Sequence, residues 1–280
     1  MHPTLPKSYK DAFSFKVGTT SFIYPEGYVQ NVKRLAPYLD EIELLLFESA
    51  PESLPSTHEV KQLFNLSKEF DLTYNIHLPI DISLGAPEPS IRHFALETVK
   101  QVMDLTATLS PGTYTLHLPY EEAGFDNEQI KRWRDHLNTS INKLVSAGIN
   151  GEIISIETLD YPLDWVEEIL MDFNLSVCID VGHLILCGFD PETVFNKYKK
   201  RTPILHLHGV DNHKDHLPLD RLTKEDAETV IKILKQFEGV VSLEVFSFDH
   251  LKASLNFLEK YGFCNTDVTK SNNDSIANWE

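Results

Sequence analysis

The chain has 280 residues, a mean hydropathy of -0.22 and a formal net charge of -17. That acidity argues against a nucleic-acid partner, because such binders carry a basic footprint and no basic run here exceeds KYKKR at 197–201. No apolar run approaches the roughly 18 residues of a membrane span. The start, MHPTLPKSYKDAF, lacks the apolar centre of a secretory signal, and Cys178, Cys187 and Cys264 show no metal-type spacing, so free thiols and a cytoplasmic location are expected.

Along the chain, short apolar or alternating runs predict strands at 16–20, 41–47, 72–77, 113–118, 152–158, 176–181, 204–209 and 240–246. Helical periodicity lies between them, at 29–39, 91–109, 130–148, 226–237 and 249–262, and Asp190 followed by Pro191 reads as a helix start. Strands and helices that alternate in this way over one domain's length predict an α/β protein, a single (β/α)8 TIM barrel over residues 16–262. A doubly wound open sheet is the alternative, but no glycine-rich dinucleotide turn is present. Residues 1–15 are expected to be an N-terminal extension. Residues 263–280, polar and aperiodic, are expected to be a flexible tail.

The chemistry collects at the strand ends. ILHLHGVDNHKDH, residues 204–216, carries four of the twelve histidines. Side chains alternate along a strand, so His206 and His208 share the face opposite Leu205 and Leu207. Applied strand by strand, the same parity turns His77, His117, Glu157, Asp180 and Glu244 towards the barrel axis. Six consecutive strands therefore end on an inward imidazole or carboxylate, on the face where barrel active sites form. Such a ring is costly to bury unless a cation neutralises it, and its ligand types suit zinc, manganese or iron(II). Any one of these residues alone could be structural: a core histidine, a carboxylate partnered by Lys or Arg, or a helix cap at Asp180. His183, His213 and His216 lie just beyond strand ends, whereas His2, His58, His93, His136 and His250 are read as surface residues. Phe22, Tyr24 and Tyr28 in SFIYPEGY, and Tyr161 and Trp165 in DYPLDW, either contact a flat substrate or pack their loops. Glu43 and Glu48 are read as structural, and Asp211 as a turn residue.

His77, His117, Glu157, the Asp180-Val-Gly-His183 motif, His206 and Glu244 together resemble the AP endonuclease 2 / xylose-isomerase-like barrel superfamily over residues 16–262. Within it, DEIELLLFES, LTYNIHLPIDISLG, CIDVGHL, LHLHGVDNHKDH and VVSLEVFS resemble the cobamide-remodelling phosphodiesterases of the CbiR type. The resemblance implies two or more divalent ions per chain, zinc or manganese. It also implies hydrolysis of the phosphoester in a corrinoid's nucleotide loop, releasing the lower-ligand riboside and leaving cobinamide phosphate. It makes His77, His117, Glu157, Asp180, His183, His206 and Glu244 metal ligands. The superfamily's Asp-x-His pair after strand seven is replaced here by NHKDH, which offers Asp215 with His216 or His213 with Asp215. His208 is expected to ligate, to contact phosphate or to act as an acid, with Glu157 and Glu244 as further catalytic groups and His213 as a substrate contact. The competing expectation is a sugar isomerase or epimerase with Glu157 and Glu244 as an acid–base pair around one ion. A DNA endonuclease or a ligand-binding barrel without turnover is less favoured.

Overall fold

The protein is described by a computed structural model covering residues 2–262 apart from 122, 123 and 125. The expected tail at 263–280, with Cys264, lies outside the described residues. Seven strands come first: β1 (Lys16–Thr20), β2 (Glu41–Leu45), β3 (Thr73–His77), β4 (Tyr114–Leu116), β5 (Ile154–Glu157), β6 (Ser176–Asp180) and β7 (Ile204–Leu207). A short antiparallel hairpin, β8 (Gly209–Asp211) and β9 (Lys214–Leu217), precedes β10 (Val240–Leu243). All strands but the hairpin pair in parallel and close a barrel in the order β1-β10-β7-β6-β5-β4-β3-β2. The predicted TIM barrel is the observed fold.

Helices surround the barrel: α1 (Tyr28–Leu35), α2 (Thr57–Phe70), α3 (Pro89–Thr106), α4 (Asn127–Ser146), α5 (Glu167–Asp172), α6 (Val181–Leu186), α7 (Pro191–Tyr198), α8 (Lys224–Leu234) and α9 (Phe248–Lys260). Local chemistry sets their starts. Ser56 and Glu59 form a reciprocal capping box at α2, and Asp190 accepts from the Glu192 amide with Pro191 in the first turn of α7, as its sequence predicts. Among the described residues no helix is long and apolar enough to cross a membrane.

Outward strand residues such as Ile42, Leu44, Ile76, Leu116, Ile156, Ile179, Leu205 and Leu207 are fully buried in the core shared with the helices. The inward side is polar. Asn75 Nδ2 donates to Glu41 Oε1 at 2.6 Å, Thr113 and Ser155 hydroxyls meet at 2.7 Å, and Ser242 Oγ donates to Glu43 Oε2 at 2.8 Å. The usual layers of branched apolar residues inside such barrels are here partly replaced by a hydrogen-bonded floor.

Two expectations need correction. The run 204–209 is not one strand: β7 stops at Leu207 and the chain turns into the hairpin, where Asn212 and His213 take φ of 49° and 59°. Positive φ at both turn positions matches the right-handed twist of the flanking strands. Residues 1–15 are not merely an appendage either. Leu5, Tyr9, Phe13 and Phe15 are buried in the main core, and the Asp40 carboxylate accepts from the amides of Asp11 and Val17, each at 2.9 Å.

Asp40→Ala would leave both amides without that acceptor. We expect a loss of about 2 kcal/mol or more in urea unfolding, and an unchanged midpoint would mean that the segment is not tied to the barrel through this residue.

Candidate metal centre

Strand geometry delivers the ligands. β5 ends on Glu157 and β6 on Asp180, β7 carries His206, and Glu244 follows β10. These four residues form a buried quartet whose ligand atoms lie within 4.8 Å of one another. His206 Nδ1 lies 3.1 Å from Glu244 Oε2, 3.5 Å from Glu157 Oε1 and 3.9 Å from Asp180 Oδ2. His183 Nδ1 approaches the same Glu157 and Asp180 oxygens at 3.4 Å each.

The decisive feature is what these atoms lack. Glu157 Oε1, Asp180 Oδ2, His183 Nδ1, His206 Nδ1 and Glu244 Oε2 are buried, and none makes a hydrogen bond of acceptable geometry. Buried polar atoms almost always find partners. Here lone pairs from three carboxylates and two imidazoles converge, which suits a cation bound between them.

Three further groups adjoin the quartet, one of them Glu157 and His206 with the buried Cys178 thiol. Glu157 Oε2 lies 3.1 Å from His77 Nε2 and 2.9 Å from His117 Nε2, and His183, His208 and His216 form a third cluster. Glu157 thus offers one oxygen to the His77–His117 pair and the other to the quartet.

The tautomers of the imidazoles follow from their second partners. His77 Nδ1 lies 2.9 Å from the Leu78 carbonyl, an obligate acceptor, so Nδ1 carries the proton and the Nε2 lone pair faces Glu157. His206 Nε2 likewise donates to Glu43 Oε1 at 2.9 Å, which leaves Nδ1 for the centre. Glu43, read from the sequence as structural, is fully buried and also accepts from Ser242. It orients a ligand, as carboxylates behind metal-bound histidines commonly do.

His208 differs. Its Nδ1 lies 3.0 Å from the His216 amide and 3.2 Å from the Gly209 carbonyl, a donor and an acceptor, so these contacts do not select a tautomer, and its buried Nε2, 3.2 Å from Asp180 Oδ1, makes no hydrogen bond of acceptable geometry. That Asp180 oxygen also caps α6 by accepting from the His183 amide at 2.7 Å, so the helix-cap reading and the ligand reading each claim one oxygen of Asp180. Gly182 is required beside it: a Cβ there would collide with the His208 ring.

The field of the carboxylates shows in the protonation equilibria. Burial lowers the His183 pKa, but Asp180 and Glu157 outweigh it and push the value up to about 11. Burial is similarly outweighed at His216 by Glu244 and Asp215, which push it up to about 9. For Glu157 burial acts upward, yet His117 and His206 hold it well below the ordinary carboxylate range.

Several predicted site residues fall elsewhere. His213 is at the exposed hairpin tip, outside every ligand group among the described residues. Asp215 Oδ1 lies 3.0 Å from His216 Nδ1, which orients His216 Nε2 towards Glu244 Oε1 at 3.6 Å; Asp215 joins none of these ligand clusters. His208 is 0 % exposed, like Glu157, Asp180 and His206, and falls in the cluster with His183 and His216. Tyr24 and Tyr161 are buried too, with hydroxyls donating to the Pro3 and Leu118 carbonyls, while Trp165 stacks on Tyr161. These three rings pack their loops. Phe22 stays half-buried near the mouth, against Phe47. Of the histidines read as surface residues, His2, His136 and His250 are half-buried, and His250 Nδ1 lies 3.3 Å from the His216 carbonyl.

A family profile described as the xylose isomerase-like TIM barrel (AP endonuclease 2) matches residues 31–261. The chain belongs to this family. Solved barrels of the family type superpose over most of the chain. A D-tagatose 3-epimerase-like protein has a TM-score of 0.73 at 17% identity, covering 88% of this chain and 97% of its own. Endonuclease IV from Thermus thermophilus gives 0.63 at 17% identity, covering 88% and 99%. The probable 3-DHS dehydratase AsbF from Bacillus anthracis gives 0.68 at 16%, covering 88% and 99%. At these identities the likeness is one of fold. Inosose dehydratase from Lacticaseibacillus casei is 43% identical over 50 residues, 16% of this chain and 17% of that protein, so the match spans less than a fifth of the relative's length. Xylose isomerase-like barrels thus accommodate several chemistries, and the distinction has to come from the site.

Glu43→Gln keeps the shape but weakens the acceptor for His206. Zinc affinity by competition with a chromogenic chelator should fall roughly 10–100-fold with little change in melting temperature, and unaltered affinity would show that Glu43 does not support the centre. Because His183 and His216 are held protonated at neutral pH, ion uptake must displace protons. Zinc titrations at pH 7 in buffers of different ionisation enthalpy should show net proton release; none would contradict the assigned ligands.

Proposed function

We propose that the protein is a metal-dependent phosphodiester hydrolase, and that its substrate is the nucleotide loop of a cobamide. The observation that carries the reaction class is the surplus of imidazoles. The quartet of Glu157, Asp180, His206 and Glu244 is already a complete set for one ion, yet His77 and His117 share Glu157 on one side and His183, His208 and His216 cluster on the other. A single-ion isomerase leaves those five histidines without a role. A phosphodiester, whose anionic oxygens repel an anionic nucleophile, is served by several cationic positions.

Bound divalent ions would supply a water acidified from a pKa of about 15.7 to near 7 and positive charge facing the phosphate oxygens. His77, His117 and Glu157 would hold one ion; Glu157, Asp180, His206 and Glu244 would hold a second; His183 and His216 offer positions for a third. Glu157 would serve both groups, with Oε2 facing His77 and His117 and Oε1 facing His183 and His206. His216 stands at the partly exposed edge and is set by Asp215, so with two ions and no third one bound it would be the imidazole able to hold a proton for the leaving oxygen. His208 Nε2, 3.2 Å from Asp180 Oδ1, is a further position beside His183 and His216. The corrinoid assignment rests on the resemblance of the strand-end stretches to cobamide-remodelling enzymes, and the acidic chain disfavours a DNA backbone.

A second reading keeps one specific support. The quartet alone can serve one ion, with Glu157 and Glu244 on opposite sides of a sugar, and epimerases share the fold. Metal counting separates the two: two or three ions per chain support the hydrolase and one supports the isomerase. The substrate test is incubation of the zinc- or manganese-loaded protein with an adenosylated cobamide. Mass spectrometry should show cobinamide phosphate and the lower-ligand riboside, lost on chelation and restored by metal. Full turnover in chelated protein would refute the reaction, and intact cobamide beside rapid cleavage of bis-p-nitrophenyl phosphate would refute only the corrinoid.

A further inference from the structure

Among the described residues, the candidate ligands come from β3, β5, β6 and β7, from just after β4, β7 and β10, and from α6 and β9, and β1 and β2 contribute none. In the closed order β10 adjoins β1, which adjoins β2, so one quadrant of the mouth is left for another purpose. Its loops place three phenylalanines there: Phe22 after β1, Phe47 after β2 and Phe246 after β10. Phe22 and Phe47 meet at a ring-centroid distance of 4.8 Å, Phe47 and Phe246 at 5.9 Å, and Phe246 meets His216 at 5.0 Å. The line of rings therefore runs without a break from the cluster of His183, His208 and His216 to the far side of the mouth. Phe246 is 38% exposed, and Phe22 and Phe47 are half-buried, in contrast to the buried Tyr161 and Trp133 on the opposite side.

We infer that this line is a subsite for a planar heteroaromatic group carried next to the reacting phosphate. The inference rests on the phosphodiester reading and adds to it the wall on which an aromatic part of the substrate lies. The rings offer only carbon, and the polar groups around them are already engaged. Tyr28 Oη donates to the Ser53 carbonyl at 2.8 Å, Ser49 donates to Asp81, and Ser53 Oγ donates to Glu48. A sugar laid along the wall would leave hydroxyls without partners, which costs free energy. A flat heterocycle presents π faces and buries apolar area against offset or tilted rings, the geometries aromatic pairs favour. His216 joins the two regions: its ring touches Phe246 while its Nε2 faces Glu244. A phosphate at the ions and an aromatic group on the wall therefore belong to one ligand.

The test separates the wall from the metal centre. Methylphosphonate and 1-naphthylphosphonate are titrated into the zinc-loaded protein by calorimetry. Methylphosphonate reports the centre, and the ratio of the two dissociation constants reports the wall. The naphthyl compound should bind at least about tenfold tighter, a step of roughly 1.4 kcal/mol. That ratio should collapse in F246A and F47A, persist in F246W, and persist in F94A, where the exposed ring sits on α3 away from the line. A ratio near one in the wild type, or an undiminished ratio in F246A and F47A at full zinc content, overturns the wall. If methylphosphonate does not bind, the phosphodiester reading fails instead. The wall is then read from indole, which has no lone pair for zinc; Phe246-dependent indole binding upholds it and Phe246-independent or absent binding overturns it.

Discussion

The structure depends on one electrostatic constraint: three carboxylates, Glu157, Asp180 and Glu244, are buried around His206, and among the described residues no lysine or arginine is paired to them. Like charges at this separation in a poorly solvated interior repel strongly, and removing them from water adds several kcal/mol per ion. Imidazolium protons can neutralise part of that field, which is why His183 and His216 hold protons far above the usual histidine range. Divalent ions do so with better geometry, because the orphaned lone pairs all point inward. The polar floor beneath, with Glu43 gripping His206 and Ser242 gripping Glu43, keeps the ligands aimed before an ion arrives.

The rim then divides by chemistry. Strands that carry short polar side chains inside and imidazoles or carboxylates at their ends build the cationic side, while the loops after β1, β2 and β10 line the other side with carbon. Relatives with the same barrel carry names of epimerases, dehydratases and an endonuclease. The barrel is common to all of them; the count of histidines and the character of the bare quadrant are what the proposed reaction and substrate rest on.

The fold was legible because strand and helix periods alternate without interruption, and the inward set was legible because parity within a strand is strict. His77, Glu157, Asp180 and His206 needed nothing more. Legibility ended where the ladder ended. Beyond Leu207 parity no longer applies, and the hairpin sends His213 to solvent and turns Asp215 towards His216. Whether an aromatic packs or faces the mouth depends on neighbours distant in sequence: Tyr24 and Tyr161 found carbonyl acceptors and closed in, whereas Phe22 found Phe47 and stayed at the edge. Phe47 and Phe246 each sit at the edge of a predicted strand, and that position is the signal by which they could have been noticed. Glu43 was discounted because a lone buried glutamate has no visible partner in sequence. That partner, His206, lies on a strand that does not adjoin β2 in the barrel wall and touches Glu43 only across the interior.

The central claim is that these converging atoms hold ions. Anomalous diffraction from zinc-soaked crystals, collected on both sides of the zinc edge, tests it most directly. The account predicts one peak bounded by Glu157, Asp180, His206 and Glu244 and a second between Glu157, His77 and His117. A quartet that stays free of anomalous density, while zinc binds only at surface histidines, would contradict it.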